Sequence, residues 1–255
     1  LSVKKIEVKG RIIGGAKPNI CVPLVGRNLA DLLAEAEAVA GLKPDIIEWR
    51  ADFFDEVKNA GKVTEALEKL RGIIPDYPVI FTCRDHTEGG FAEIESMARI
   101  ALLGEVVRTK KVDIVDVELD SGWRVTNEVI TEARRNGVYV ILSNHDFKKT
   151  PEKEQIIGTL LRQQEAGADI AKVAVMPNQP QDVLNLLEAT LFFSENHARI
   201  PVVSMSMSGL GVISRIAGSI FGSAITFAAG KAASAPGQIP VAKLRGAIEV
   251  LLDSM

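Results

Sequence analysis

Cysteine is nearly missing from this chain: its 255 residues include two, Cys21 and Cys83, each inside an apolar, strand-like run. Two such residues do not make the cross-linked framework of a small secreted scaffold, and their spacing matches no metal or redox motif. They read as small buried core residues, reduced in a cytosolic compartment. Histidine is as scarce, and His86, His145 and His197 lack the spacing of ligands, so no metal site is expected. Nor is there an excess of positive charge: Lys and Arg number 30 against 33 Asp and Glu, a net charge of −3. That excludes nucleic acid as the main partner and leaves no basic stripe for a membrane surface. No apolar run reaches the length of a membrane-spanning helix, and Leu1 to Arg11 carry no signal-peptide pattern. Leu1 in place of a Met reads as a processed or trimmed start.

What is present is a hydrophobic fraction of 47% with 25% charged residues, the balance of a soluble globular chain that buries a sizeable core. Val3 to Val8 and Arg11 to Ile13, split by Gly10, read as a small hairpin before the main domain. From Asn19 a strand–helix rhythm begins and persists to the end. Strands are expected over residues 20–25, 45–50, 78–84, 113–119, 138–143, 169–176, 200–207 and 223–228. Asn28 is placed to cap the first helix, and a second is expected over Val63 to Leu70. Thr150-Pro151 looks like an N-cap with proline at the first helical position, and Gln179-Pro180 opens the next helix. Eight such units in this length predict one α/β domain, a (β/α)8 TIM barrel with a short N-terminal β-hairpin. An open doubly wound sheet needs no eighth unit and usually carries a glycine-rich phosphate turn after its first strand. The turn here, Gly26-Arg-Asn28, does not match one.

The chain is organised around Asp169-Ile-Ala-Lys-Val-Ala-Val-Met176. Strand side chains alternate faces, so Ile170, Lys172 and Ala174 point one way. A lysine between apolar neighbours is either turned to water on an edge strand or is a desolvated amine free to attack a carbonyl. In a barrel of this kind the active site lies at the carboxyl ends of the strands, and polar residues interrupt the apolar runs at those ends. Glu48 and Arg50 end the second strand, Arg84 the third with Glu88-Gly89-Gly90 beyond it, and Ser143 to Phe147 the fifth. Met205 and Met207 end the seventh, with Arg215 a short turn later. Singly, each has a bland reading: a rim salt bridge, a helix-start carboxylate, a loop histidine, a core methionine. Together, Arg50, Arg84 and Arg215 around Lys172 would ease loss of its proton and bind an anionic, hydroxyl-rich substrate. His145 suits proton transfer in both directions, and Glu88 could fix its tautomer. His86 is assigned no role, and His197 reads as a solvated helix residue.

These segments resemble the type I 3-dehydroquinate dehydratase family. The resemblance rests on Glu48-Trp-Arg50, Thr82-Cys-Arg84 with Glu88-Gly-Gly90, and Ser143-Asn-His-Asp-Phe147. It continues through Lys172-Val-Ala-Val-Met-Pro177, Met205-Ser-Met207, Gly211-Val-Ile-Ser-Arg215 and Ser234-Ala-Pro-Gly-Gln238, in register from about Asn19 to the last helix. It implies a cytoplasmic, usually dimeric barrel that needs no cofactor and converts 3-dehydroquinate to 3-dehydroshikimate in the shikimate pathway. Lys172 would form a Schiff base with the substrate ketone, His145 would be the general acid–base, and Glu88 its acidic partner. Glu48, Arg50 and Arg84 would hold the ring hydroxyls; Arg215, Ser234 and Gln238 the carboxylate end; Met207 and Phe147 would be apolar walls. The loop from Gly230 to Ile239, rich in small residues, is expected to act as a lid. Two rivals share the fold: another Schiff-base lyase such as an aldolase, which would not need the carboxylate clamp, and a non-catalytic metabolite-binding barrel.

Overall fold

A strand covered on both faces must be apolar on both, and the chain supplies such runs at regular intervals. In the computed structural model, which describes residues 3–230 and 234–254, these runs form a barrel. A hairpin of β1 (Ile6–Val8) and β2 (Arg11–Ile13) precedes it. The barrel strands are β3 (Asn19–Leu24), β4 (Ile46–Arg50), β5 (Val79–Thr82), β6 (Ile114–Glu118), β7 (Tyr139–Asp146), β8 (Ile170–Val175), β9 (Val202–Ser206) and β10 (Ile225–Phe227). The helices are α1 (Leu29–Gly41), α2 (Ala60–Ile73), α3 (Ser96–Thr109), α4 (Trp123–Asn136), α5 (Lys153–Glu165), α6 (Pro180–Asn196), α7 (Val212–Ala217) and α8 (Val241–Leu252). Strands β3 to β9 pair in parallel in chain order, and β10 pairs with β3. A bridge between Val202 and Ser223 and the 2.7 Å bond from Ala224 N to Val202 O join β9 to the β10 segment. The expected (β/α)8 barrel with its hairpin is what forms.

Three strands open on the same dipeptide, Asp-Ile, and it does the same thing each time. Asp45, Asp113 and Asp169 donate their backbone N–H to the carbonyl of Ile20, Val79 and Val140 on the preceding strand, at 2.9, 3.1 and 2.9 Å. Each carboxylate in return accepts the N–H of that same residue, at 2.9, 2.8 and 3.0 Å. A one-residue slip would reverse every side chain on a strand, and these reciprocal clasps hold the register. The next residue, Ile46, Ile114 or Ile170, then faces the barrel interior, and so does the residue two further on: Glu48, Asp116 or Lys172.

The isoleucines make the floor. Ile46, Ile80, Ile114, Ile141 and Ile170 share one buried cluster with Ile6, Val8 and Ile13 of the hairpin, which stoppers the barrel at the amino-terminal ends of its strands. Outward side chains such as Trp49, Phe81, Val115 and Val140 pack on Leu32, Val39, Leu67 and Leu103 of the surrounding helices. Cys21 and Cys83 are fully buried, and burial pushes both thiols up, so neither is a ready thiolate. Among the described residues no helix is long and apolar enough to cross a membrane.

Helix starts follow the expected caps with one exception. Asn28 accepts from Asp31 N at 2.9 Å, and Pro180 occupies the first turn of α6. Helix α2 is longer than expected because Asn59 caps it, accepting from Lys62 N at 3.2 Å. Thr150-Pro151 does not open α5. The Thr150 hydroxyl donates instead to Met176 O (3.0 Å), and Glu152 becomes the cap, its N–H held by the side chain of Gln155 (3.2 Å).

The clasps should be measurable in stability. Asp169→Ala leaves Val140 N–H without its carboxylate acceptor, which is expected to cost about 1–3 kcal/mol, read as a lower denaturant midpoint. Asp169→Asn, which keeps an acceptor oxygen, should lose less. An unchanged midpoint in the alanine variant would show that the clasps carry no register.

Candidate active site

Above the isoleucine floor the inward positions turn polar, because each strand's next inward residue lies two further along. Glu48 and Arg50 come from β4, Asp116 and Glu118 from β6, Ser143 and His145 from β7, Lys172 and Ala174 from β8. Glu48, Arg50, His145, Lys172 and Ala174 line a cavity at the carboxyl ends of the strands, and Asp116, Glu118 and Ser143 are buried behind that lining. Of the residues singled out from sequence, Glu48, Arg50, Arg84, Glu88, His145, Phe147, Lys172, Met207, Ser234 and Gln238 all line it. Arg215 does not. Its guanidinium lies behind the wall, donating to Phe227 O (3.3 Å) and Pro236 O (3.1 Å) with Met205 sulfur 3.7 Å away.

Lys172 is buried, which settles the choice between an edge-strand lysine and a desolvated one. Its surroundings are nonetheless not the purely cationic ring expected from sequence. Nζ donates to Asp116 Oδ2 at 2.7 Å and lies 4.7 Å from the centre of the Phe227 ring. Asp116 also pairs with Arg84 (2.9 Å) and accepts from Ser143 Oγ (2.6 Å). Burial alone would push Asp116 up, but Arg84 and Lys172 outweigh it and hold the carboxyl far below its usual range. Arg84 continues to Glu118 (2.6 Å), and Glu118 to the buried Arg99 of α3. On the other side Arg50 donates Nε and one Nη to Asp52 at 2.9 and 2.8 Å, a forked pair. Glu48 accepts from Thr82 Oγ1 at 2.7 Å and makes no rim salt bridge with Arg50.

His145 and Glu88 form the second centre. Both the backbone N–H and Nδ1 of His145 reach Glu88 Oε2, at 2.8 and 2.9 Å. With Glu88 ionised, Nδ1 donates to the oxygen that also accepts the backbone N–H, and Nε2 keeps a free lone pair. Burial pushes the Glu88 carboxyl up to about 8. Burial, with Arg84 and Lys172 adding to it, pushes the His145 imidazole well below its ordinary value. Gly89 and Gly90 are required here: Gly89 has φ +85°, and a Cβ on it would meet the Phe147 ring at 2.4 Å. A Cβ on Gly90 would come within 2.1 Å of Arg84 O. His86 bonds Gly90 O through Nδ1 (3.1 Å) and does not line the cavity. His197 is half-buried at the end of α6 beside the rings of Phe192 and Phe193, not a solvated helix residue, because the chain turns inward there.

The expected lid reaches the cavity through Ser234 and Gln238, which bond each other: Ser234 N donates to Gln238 Oε1 (2.9 Å) and Gln238 Nε2 to Ser234 Oγ (3.1 Å). Pro236 O accepts from Ser208 N and from Arg215, tying the segment down. Residues 231–233 of the expected lid lie outside the described residues. Sequence reasoning passes over Asp52, Asp116, Glu118 and Arg99. Asp116 and Glu118 carry a signal, two carboxylates two residues apart in an apolar strand; Asp52 and Arg99 are recognised only through the partners they meet.

Comparison with known proteins points to one family. The sequence pattern described as Type I 3-dehydroquinase matches residues 20–254. The chain is 48% identical over 252 residues to the 3-dehydroquinate dehydratase of Clostridioides difficile, covering 99% of both, and 46% identical over 246 residues to that of Bacillus subtilis, covering 96% of both. The solved type I 3-dehydroquinate dehydratase from Clostridium difficile, with covalent modified comenic acid, superimposes with a TM-score of 0.97 at 47% identity over 100% of both chains.

The depressed imidazole has a sign that can be checked. A histidine of ordinary value gains its proton as pH falls through 6.5, whereas His145 should stay neutral there and protonate only well below it. Imidazole NMR of the ligand-free protein, with His86 and His197 replaced by Gln, should show this. Protonation at or above 6.5 would mean that burial and the two cations do not act as described.

Proposed function

The chain belongs to the type I 3-dehydroquinase family, and on that premise we propose how its own residues carry the reaction. That reaction is the dehydration of 3-dehydroquinate to 3-dehydroshikimate in the shikimate pathway, a hydro-lyase step. The observation that carries the reading is the position of Lys172: a buried amine facing the cavity from β8, with His145 on the neighbouring strand opposite Ala174, two residues further along.

In the proposed sequence the Lys172 ammonium gives a proton to neutral His145, Nζ adds to the substrate ketone, and His145 returns that proton to the departing hydroxyl as the carbinolamine loses water to become an iminium. Asp116 supplies a counter-charge at Nζ for the ammonium before this step and for the iminium after it. The iminium draws electron density from the adjacent C–H bond, and His145 Nε2 takes that proton. The enamine electrons then expel the hydroxyl on the next carbon, to which His145 returns the proton, so water leaves. Hydrolysis of the conjugated iminium releases the enone and restores the amine. An arginine at position 172 could not do this, since its guanidinium stays protonated. Glu88 holds the ring of His145 so that Nε2 faces the ligand.

Glu48, Arg50 and Arg84 are proposed to hold ring hydroxyls. Arg215 is proposed for the carboxylate end with Ser234 and Gln238. Burial pushes its guanidinium down to about 10, so it is still a cation at neutral pH, and it makes no ion pair among the described residues. A buried, unpaired cation suits an anionic group. Reaching one through Nη2 requires the segment around Pro236 to rearrange, because Pro236 O holds that group in this structure. Met207 and Phe147 would supply apolar walls. We further propose a homodimer in the cytoplasm, supported by the family resemblance. An aldolase reading would leave Arg215, Ser234 and Gln238 without a task.

The test is covalent. Borohydride added during turnover of 3-dehydroquinate should reduce the imine and leave ligand bonded to Lys172, located by mass spectrometry of the digest; Lys172→Ala should form no adduct. An adduct on a different lysine, or none while turnover proceeds, would sink the mechanism.

A further inference from the structure

Three loops meet at the cavity rim in a column of alternating character. The exposed guanidinium of Arg27, just after β3, lies 4.9 Å over the Phe91 ring in the β5–α3 connection. Phe91 stacks on Phe53, which follows β4, with centroids 4.9 Å apart and planes 19° from parallel. Beyond Phe53 the guanidinium of Arg50 sits 5.0 Å from the ring centre. The order from solvent inward is cation, ring, ring, cation. Asp52 ties the inner end together, since it grips Arg50 through both oxygens and accepts Phe91 N–H at 3.0 Å.

The consequence lies in what Arg50 has left. Asp52 takes its Nε and one Nη along an edge, and the guanidinium carbon lies over the Phe53 ring, so the group is held from two sides. The second Nη is then the group left for the cavity that Arg50 lines. An ion pair alone would allow the fork to rock about its carboxylate; a ring under the guanidinium carbon opposes that motion. Phe91 is half-exposed, so hydrophobic burial gives little account of why an aromatic ring stands there. A flat ring that completes the stack on Phe53 does.

We propose that Phe53 and Phe91 are positioning residues for ligand recognition, holding the Arg50 guanidinium in the position from which its free Nη meets a substrate hydroxyl. This rests on the reading of Arg50 as a hydroxyl-binding residue. Neither phenylalanine touches the reacting atoms, so their loss should weaken binding and leave the chemical step alone.

The experiment measures KM and kcat for 3-dehydroquinate in the full-length enzyme, with thermal midpoints alongside. Phe91→Leu should raise KM about 2–5-fold, and Phe53→Leu, nearer the buried cation, roughly 5–30-fold. In both, kcat should hold within about 2-fold, as for an interaction made equally before and in the transition state. Phe53→Tyr, which keeps the ring, should restore KM. The effect of Phe53→Leu should vanish when Arg50 is already replaced by Gln. An effect that persists in the Arg50→Gln background, or a kcat that falls with KM unmoved, overturns the proposal. If Arg50→Gln itself leaves KM unchanged, the hydroxyl-binding reading of Arg50 fails and the proposal falls with it, a result distinct from the others. Should Phe53→Leu fold poorly, the half-exposed Phe91→Leu decides in its place: a KM that stays at the wild-type value there overturns the proposal.

Discussion

A lysine ammonium in the middle of a barrel costs several kcal/mol unless something compensates it. The 2.7 Å pair between Lys172 and Asp116 is that compensation, and much of the site follows from it. Asp116 is itself buried and needs more than one partner, so Arg84 and Ser143 complete its shell. Arg84 then needs Glu118, and Glu118 is shared with Arg99. The charges alternate across the barrel from β8 to α3, each a partial answer to the burial of the one before. The same array explains the imidazole beside it. His145 sits between the burial that depresses it and two cations that depress it further, so its imidazole is held neutral.

Register is what lets such an array assemble. The aspartate clasps at the starts of β4, β6 and β8 set three strands so that Glu48, Asp116 and Lys172 each stand one inward step above the isoleucine floor. The hairpin closes the floor from below. Chemistry and stability are thereby separated along the strand axis: apolar side chains at the amino ends, polar ones at the carboxyl ends.

Much of this is legible in the residues alone. Eight strand–helix units and the shared face of Ile170, Lys172 and Ala174 follow from period and position. Features depending on a partner's location in space are not. Asp116 reads as one more strand residue, since periodicity reports which face a side chain takes and not which strand it meets across a barrel. Arg215, expected beside Lys172, stands behind Met205 and Phe227, because its short helix turns it toward the lid. Thr150-Pro151 matches a helix start in composition, yet the hydroxyl of Thr150 finds Met176 O and leaves the cap to Glu152. The column from Arg27 to Arg50 draws its members from three loops and the end of β4, and no spacing along the chain announces it.

The central claim is that Lys172 and Asp116 stabilise each other inside the barrel. A double-mutant cycle in folding stability measures it directly, using Asp116→Asn, Lys172→Met and the pair together. Asp116→Asn alone should cost about 3–5 kcal/mol, the range for stripping a buried charge of its partner. In the Lys172→Met background the same change should cost less, with a coupling of roughly 1–3 kcal/mol between the sites. Additivity within about 0.5 kcal/mol would contradict the account.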